Sequence, residues 1–399
     1  MSNVNPSQRI LALDILRGIT IAGMILVNNP GTWNHIYAPL CHAEWNGLTP
    51  TDLVFPFFMF IMGISTFMSL RKFEFKPTSA VIIKILRRFV VIFAIGLGIA
   101  WFSKFCYGIA SGLTNADEQL PLWTIIANSA NSFANLRILG VLPRLAISYG
   151  VAALIAVLVN HKYIMHIIVS MLVVYALVLI LGNGYEFSDT NIISIIDHAV
   201  LGGNHMYSDT IDGVRLEFDP EGFISTLPAI AHVLLGFWVG KKMMAETDNT
   251  KRIVVLFVAG AVLTFAGLLL SYGLPINKKI WSPTFVLTTC GLASTLLGLL
   301  IWIIDIKGYK KWSCFFESFG VNPLFIYVLA GVLSILLGAI RFANAEGSYT
   351  TLKGFIYNDV IGSVITDATL ASLVFALLFV CLNWAIGYIL YKKKIYIKI

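Results

Sequence analysis

The chain has 399 residues, of which 58% are hydrophobic and only 12% are charged, and its mean hydropathy is +0.82. Soluble domains are about one quarter charged, so this composition excludes a water-soluble globular protein and indicates an integral membrane protein. The net charge of +7 is spread along the chain without any nucleic-acid-binding motif, which excludes nucleic acid as a partner.

The predicted fold class is all-α, a polytopic bundle of about ten transmembrane helices, because lipid leaves backbone groups no other way to be satisfied. One domain is expected to cover residues 1–399, since no polar stretch is long enough to fold alone. The predicted spans are residues 9–28, 51–70, 81–102, 137–159, 163–182, 224–241, 252–272, 283–304, 316–340 and 369–391.

Charge distribution predicts the orientation of these spans. With a cytoplasmic N-terminus, most of the 28 basic residues fall in inward segments and most of the 21 acidic residues in or beside outward ones. Both termini are then expected in the cytoplasm. Insertion bias and anionic lipid explain most of the lysines, although a polyanionic ligand on the inner face stays possible. The three long outward segments, 29–50, 103–136 and 183–223, are expected to cap the substrate face.

A polar cluster runs directly into the second span in the segment CHAEWNGLTPTDLVFPFFMFIMG, residues 41–63. His42 is the leading candidate for chemistry, because imidazole can take and return a proton near neutral pH. Asp52 or Glu44 is predicted to orient it. The amides predicted to stabilise a developing oxyanion belong to Asn28, Asn29 and Asn46. The alternative is an interfacial histidine bonded to a loop carbonyl.

Several basic residues have two interpretations. Asp14 and Arg17 lie three apart on the first helix, which favours an ion pair, while the rival role places Arg17 on a cofactor phosphate. The cluster at the start of the third span is either a positive-inside flank or a phosphate site, and it consists of Lys84, Arg87 and Arg88. Arg144, at an apolar helix start, must find an anion or a carbonyl partner.

The remaining polar features carry weaker signals. Asp219 and Glu221 form a turn ahead of the sixth span, where an acidic residue is often a helix cap. His198 and His205 with Asp197 match no familiar metal spacing, so no metal site is expected. Trp33 and Trp45 flank His42 and can stack on a sugar ring. The five cysteines show no paired spacing, and no Walker loop, dinucleotide fingerprint or nucleophile elbow is present.

HAEWNGLTPTDLVFPFFMFIMG resembles the signature of the heparan-alpha-glucosaminide N-acetyltransferase family, which includes bacterial NagX-like relatives in the wider transmembrane acyltransferase group. LDILRG, VNNPG, GVLPRLAISY, LGGNHMY, EFDPEG, NKKIWSPTFVL, NPLFIYVL and YILYKKKIYIKI look like family landmarks in family order. The resemblance therefore covers nearly the whole chain.

This resemblance implies transfer of an acetyl group from cytoplasmic acetyl-CoA to a glucosamine-type amino sugar on the outer side of the membrane. It places His42 on the family's catalytic histidine, as general base or acetyl carrier, with Asn28 and Asp52 beside it. The expected cofactor-binding residues are Arg17, Lys84, Arg87, Arg88 and Arg144. The expected substrate-binding residues are Trp33, Glu44, Trp45, Asn46, His205, Asp219 and Glu221.

Acetyl-CoA is the expected donor substrate, with no metal. The expected partners are membrane lipid, CoA and an amino-sugar or glycan acceptor, with a homodimer suggested by the resemblance, and the expected location is a bacterial inner membrane. Two other functions stay open: a sugar permease or transport partner for N-acetylglucosamine, and an O-acyltransferase of a cell-surface glycan. Uptake without CoA would select the first, and hydroxyl acceptors would select the second.

Overall fold

The computed structural model describes residues 10–114, 120–211, 213–343 and 348–397. The expectations that rest on Arg9, Asp117, Glu118, Asp212 and Lys398 lie outside these residues. Within them the chain is predominantly helical, with two small antiparallel hairpins. The all-α class predicted from composition is confirmed.

Fourteen α-helices are found in the described residues. They are α1 Leu11–Asn28, α2 Pro50–Arg71, α3 Ser79–Thr114, α4 Leu122–Ala130, α5 Val141–Leu158, α6 Ile164–Leu181, α7 Ile192–Leu201, α8 Thr226–Ala245, α9 Asn249–Leu270, α10 Pro283–Leu300, α11 Ser313–Val321, α12 Pro323–Ala339, α13 Leu352–Phe355 and α14 Ala368–Lys392. Short 3₁₀ turns cover Ala38–Leu40, Ser132–Asn135 and Gly203–His205, and π-helical turns cover Ile301–Ile306 and Ile356–Ile361.

The strands form two hairpins in the loops. β1 Ser208–Ile211 pairs with β2 Val214–Glu217, so that Ser208 lies opposite Glu217. β3 Arg341–Ala343 pairs with β4 Tyr349–Thr351. The second hairpin belongs to a long segment between α12 and α14 that was not predicted as a loop of its own.

Each of the ten predicted spans coincides with helix. Seven helices among the described residues are long and apolar enough to cross a membrane, namely α1, α2, α5, α6, α9, α10 with its π-helical turn, and α14. The predicted spans 81–102 and 224–241 coincide with α3 and α8, which are not among these seven. The outward segment predicted over residues 103–136 is shorter than expected, because α3 continues to Thr114.

The predicted span 316–340 is not one straight helix. α11 and α12 meet at an angle of 88° between Val321 and Pro323. Proline lacks the backbone N–H and disfavours helical geometry in the residue before it, and Asn322 accordingly has φ −124° and ψ 54°. The two halves therefore pack in different directions, α11 against α1 and α12 against α3.

Helix contacts show which ends lie together. α2 and α8 run parallel, because Phe60 faces Gly236 and Ile64 faces Gly240. α3 and α5 are antiparallel, and so are α9 and α10. The loops gathered at the end of the bundle where α2 begins are 29–49, the α4–α5 region, 182–225, 271–282 and 340–367. We call this the His42 end and the other the opposite end.

Glycines allow α2 and α8 to approach closely. A Cβ on Gly63 would clash with the backbone carbonyl of Val233, and a Cβ on Gly236 would clash with that of Phe60. Small residues let apolar helices pack backbone to backbone, where dispersion contacts replace the missing hydrophobic drive between helices in lipid. This crossing fixes α2, and with it the polar cluster at its start.

Candidate functional site

A capping box begins α2 at the edge of the apolar bundle. Thr49 is the N-cap, and the Asp52 Oδ2 atom accepts hydrogen bonds from the backbone N–H of Thr49 and of Ala43, both at 3.1 Å. Asp52 is fully buried. A carboxylate at this position satisfies free N–H groups of the first turn and complements the helix dipole. The sequence TPTD therefore holds Asp52 in one orientation.

The other oxygen of that carboxylate contacts the imidazole. His42 Nδ1 lies 2.6 Å from Asp52 Oδ1, and the His42 side chain is 42% exposed. Two acceptors cannot lie this close without a proton between them, so Nδ1–H donates to Asp52, and in the neutral ring Nε2 then carries the lone pair. The arrangement is that of a carboxylate orienting a general base.

Lys278 completes the cluster, and the sequence reasoning missed it. Its Nζ atom lies 3.4 Å from Asp52 Oδ1 and 3.0 Å from His42 Nδ1. The Lys278 side chain is largely buried, and burial lowers its pKa, while the charges of Asp52 and Glu221 act in the opposite sense. A signal was present, because Lys278 and Lys279 are adjacent in a loop predicted to face outward, against the positive-inside bias.

The loop carrying Lys278 is tightly closed. The Ser282 N–H donates to the Asn277 carbonyl, and the Asn277 N–H donates to Ser282 Oγ, both at 3.0 Å. Trp281 has φ 52°, a left-handed conformation that a bulky residue adopts only when its surroundings impose it. Trp281 is buried against Phe55 and Phe285, and this packing holds the conformation.

The acidic turn predicted ahead of the sixth span is part of an ion-pair network, not a helix cap. Arg137 binds Asp219 through two nitrogens, at 2.9 and 2.6 Å, and Glu221 at 2.5 Å. Burial alone would lower the pKa of Arg137, but Glu221 and Asp219 raise it above its ordinary value. Burial would likewise raise the pKa of Glu221, but Arg137 and Arg144 lower it. Asp219 is fully buried, so it positions the turn.

Arg144 holds the same turn in place through Gly222 and Ser225. Its Nη2 atom donates to the Gly222 carbonyl and to Ser225 Oγ, and its guanidinium lies over the Trp281 ring at 5.0 Å. The partners of Arg144 are carbonyl, hydroxyl and aromatic groups, so the predicted carbonyl partner is present. Arg144 therefore lies at the His42 end, apart from the other four expected cofactor-binding residues.

The other expected substrate residues surround His42 to different degrees. Trp45 donates from Nε1 to the Tyr185 carbonyl at 2.7 Å. Its ring packs edge-on against Phe187 and Phe218, so part of the ring is buried in the hydrophobic cluster of the loops. Asn46 accepts from Asn277 Nδ2 at 3.2 Å. Glu44 is exposed.

The remaining predicted residues near His42 are placed as follows. Trp33 is 62% exposed, and Asn28 is the exposed last residue of α1. Asn29 is buried and donates to the Ile25 carbonyl, so it serves the end of the helix. The His205 Nδ1 atom contacts the Leu136 carbonyl at 2.7 Å, which ties two loops together.

The expected phosphate-binding cations lie toward the opposite end of the bundle. Arg17 donates to Asp14 at 3.0 Å, to the Gly320 carbonyl and to Ser65 Oγ, which is the ion-pair arrangement. Lys84 and Arg87 are exposed on the first turns of α3, with Lys84 Nζ 4.7 Å from the Phe73 ring centre. Deeper in the bundle, Arg88 lies 4.6 Å from the centre of the Tyr149 ring.

An apolar cleft separates the two groups of polar residues. Its upper wall includes Phe55, one helical turn below Asp52, and Tyr327 from the start of α12. The full lining is Ile21, Met24, Phe55, Phe58, Val141, Leu142, Leu145, Leu324 and Tyr327. The helices that form this cleft are α1, α2, α5 and α12, so it runs alongside the α2 start that carries the site.

A polar cavity of about 650 Å³ opens in the loops at the His42 end. His198 contacts Glu217 at its edge, and Asp197 lies buried behind it. Burial raises the pKa of Asp197 to about 7, against a hydrogen bond from the Ile224 N–H. No group of three or more histidine, cysteine or carboxylate side chains suited to a metal ion is found in the described ranges.

The fold and the site together define a class: an integral multi-pass membrane protein with a carboxylate-oriented histidine at one end of a helix bundle. The family model described as heparan-alpha-glucosaminide N-acetyltransferase, catalytic, matches residues 9–111, which include His42, Asp52 and the opposite-end cations.

Two curated proteins match along 98% of the chain, both named heparan-alpha-glucosaminide N-acetyltransferase. The human protein is 29% identical and the mouse protein 27% identical. The chain spans about 60% of the length of these relatives, 60% of the human and 61% of the mouse protein. The chain is thus similar to heparan-alpha-glucosaminide N-acetyltransferases, over residues 9–111 in the family model and along nearly its whole length in the two relatives.

Proposed function

We propose that the protein is a membrane-embedded N-acetyltransferase that moves an acetyl group from acetyl-CoA to the amino group of a glucosamine-type sugar. The observation that carries this proposal is the 2.6 Å contact between His42 Nδ1 and the buried Asp52 carboxylate, beneath a ring edge that stays exposed. The similarity to the two relatives supports the same reaction, because both are named for it.

His42 acts as general base in this proposal. A thioester is already activated, so the protein mainly has to remove a proton from the acceptor ammonium or amine and orient the attack. Nε2 takes that proton while Nδ1–H stays bonded to Asp52, which stabilises the imidazolium that forms. The amine nitrogen forms a bond to the acetyl carbon, and the CoA thiolate leaves.

The tetrahedral oxyanion requires a hydrogen-bond donor near Nε2. The side-chain oxygen of Asn46 accepts from Asn277, so the Asn46 NH₂ group keeps its N–H bonds for a ligand. Asn28, the exposed last residue of α1, is proposed as a second amide donor. An amide donor aimed at the developing oxyanion lowers the barrier of acyl transfer by about 3 kcal/mol.

The donor is proposed to enter from the opposite end. CoA carries phosphates at one end and its thioester at the other, joined by a long flexible arm. Lys84 and Arg87 offer cations for the phosphates, and the apolar cleft below Asp52 marks the route along which the helices would have to part to admit the arm. In this proposal the thioester reaches His42 while the nucleotide stays in the compartment where CoA is made.

The direct test uses purified protein with acetyl-CoA and glucosamine. We expect release of free CoA thiol together with N-acetylglucosamine, identified by mass spectrometry. His42→Ala and Asp52→Asn should lower turnover at least about 100-fold, since each removes the oriented base. Asp209→Asn is the matched control, because Asp209 bonds Lys279 in the outer loops and touches neither residue. Full activity in His42→Ala would overturn the role of the histidine.

A second measurement separates direct transfer from an acetyl-histidine intermediate. The protein is incubated with labelled acetyl-CoA and no acceptor, then digested and analysed for a labelled peptide containing residue 42. Label at His42 that moves to added glucosamine identifies the two-step route. Absence of label, with turnover intact when acceptor is present, identifies direct attack. Substituting an acceptor that has only hydroxyl groups tests O-acyl transfer in the same assay.

A further inference from the structure

Lys278 places an ammonium group beside both the His42 imidazole and the Asp52 carboxylate. Its Nζ atom lies 3.0 Å from His42 Nδ1, and both atoms carry hydrogen when Nδ1–H donates to Asp52. A direct Lys278–His42 hydrogen bond is therefore absent in this state. The shared partner is Asp52 Oδ1, 2.6 Å from the ring and 3.4 Å from the ammonium. One carboxylate oxygen thus faces two donors.

The charged groups around the His42 ring belong to four elements of the fold. Asp52 belongs to α2, Lys278 to the 271–282 loop and Glu221 to the turn before α8, while Glu44 lies exposed on the loop of His42 itself. Asp52 favours a protonated ring, and Lys278, a cation at closer than 4 Å, opposes it. The carboxylates of Asp52 and Glu221 favour the charged ammonium of Lys278, against burial, which lowers its pKa.

We propose that Lys278 is a positioning residue for the acetyl transfer, which balances the charge of Asp52 so that the resting His42 ring stays neutral and able to accept a proton. The inference rests on the proposed function of His42 as base. Without Lys278, Asp52 would hold an imidazolium at rest, and a protonated ring cannot take a proton from the acceptor. The closed loop from Asn277 to Ser282 fixes the ammonium in place for this role.

The structure provides the variants that test this. Lys278→Met removes the charge and keeps most of the side-chain volume, whereas Lys278→Arg keeps the charge. Lys279→Met is the matched control, because Lys279 is adjacent in sequence, similarly buried and bonded to Asp209 instead of Asp52. All three are assayed for acetyl transfer from pH 5.5 to 9.5, together with the unaltered protein.

We expect the acid side of the Lys278→Met activity profile to move about one pH unit upward, with the alkaline plateau within about threefold of the unaltered protein. Lys278→Arg should restore the original profile, and Lys279→Met should leave it unchanged. A uniform loss of kcat at every pH in Lys278→Met, with an unmoved profile, would show a merely structural role and overturn the proposal.

A readout without turnover separates this inference from the proposed function. Diethyl pyrocarbonate modifies neutral imidazole, and peptide mass spectrometry reports the modified fraction at residue 42 as a function of pH. The midpoint of modification should rise by about one pH unit in Lys278→Met and stay in place in Lys279→Met. This shift without any acetyl transfer in the unaltered protein would overturn the enzyme function alone. An unshifted midpoint would overturn the role of Lys278.

Discussion

His42 owes its orientation to residues that cap a helix. Asp52 accepts from the N–H of Thr49, the N-cap of α2, and from the N–H of Ala43 in the preceding loop, so the carboxylate that orients the ring also caps the helix. This double use explains why a short segment of sequence, from His42 to Asp52, contains both the base and its support. The third charged member, Lys278, comes from 236 residues away.

The buried carboxyl group of Asp197 makes the stability of the fold depend on pH. Its Oδ2 atom has no hydrogen-bond partner among the described residues, and burial raises its pKa to about 7. The folded protein therefore retains a proton that the unfolded chain, with a carboxyl pKa of about 3.9, has already released. The stability that protonated Asp197 contributes to the fold is present in full below about pH 4 and is lost as the pH rises through 7.

Asp197→Asn should remove this loss, because the amide stays neutral at every pH. We expect the melting temperature of the variant, relative to the unaltered protein, to rise by about 2 °C or more between pH 5 and pH 8 in the same detergent. Asp189→Asn, an exposed position on the same loop segment, is the control. A constant difference across this pH range would show that Asp197 is ionised in the fold.

At the scale of elements, the close crossing of α2 and α8 supports the site from within the bundle. Gly236→Val should lower the melting temperature by several degrees and reduce acetyl transfer, because the new Cβ meets the Phe60 carbonyl and pushes α2 away. Gly98→Ala in α3 is the matched control, since nothing lies within 4 Å of a Cβ there. Thermal unfolding in detergent measures both. Equal stability of the two variants would contradict the tight crossing.

The broken pair α11 and α12 is the second element of functional interest. The break at Asn322–Pro323 brings Tyr327 into the wall of the apolar cleft, close to the start of α2. α11 packs on α1, whereas α12 contacts α3 and also α1, so the two halves of the broken pair meet different sets of neighbours. Leu324 and Tyr327, in the first turns after the break, form part of the cleft wall.

At the scale of the whole molecule, His42 and the cations proposed to bind phosphate, Lys84 and Arg87, lie at different ends of the bundle. α2 has 22 residues, so about 33 Å separates its two ends. Lys84→Gln combined with Arg87→Gln should raise the KM for acetyl-CoA about tenfold and leave the KM for the acceptor unchanged, because only the donor carries phosphates. Lys251→Gln, an exposed lysine at the same end, controls for general charge loss. A change confined to the acceptor KM would contradict entry from this end.

The orientation of the bundle is a separate prediction for the whole molecule. The five native cysteines are first replaced, and single cysteines are introduced at Glu44 or Lys311. In sealed cells, a membrane-impermeant maleimide should label position 44 and not position 311, because the basic segments favour the cytoplasm. Labelling of both positions after the membrane is opened is the control. The reverse pattern would place the histidine in the compartment of CoA.

The sequence by itself determined the membrane class and the helical segments, because apolar runs are local and lipid permits little besides helix. It also predicted Asp52 or Glu44 as the partner of His42, and the structure has Asp52 in that contact, while the catalytic role of the histidine stays a prediction. Only the tertiary structure decided that Lys278 joins them, that Arg144 anchors a loop at the His42 end, and that α11 and α12 diverge. These depend on contacts between distant segments, and side-chain charge and spacing along the chain do not specify which loops meet.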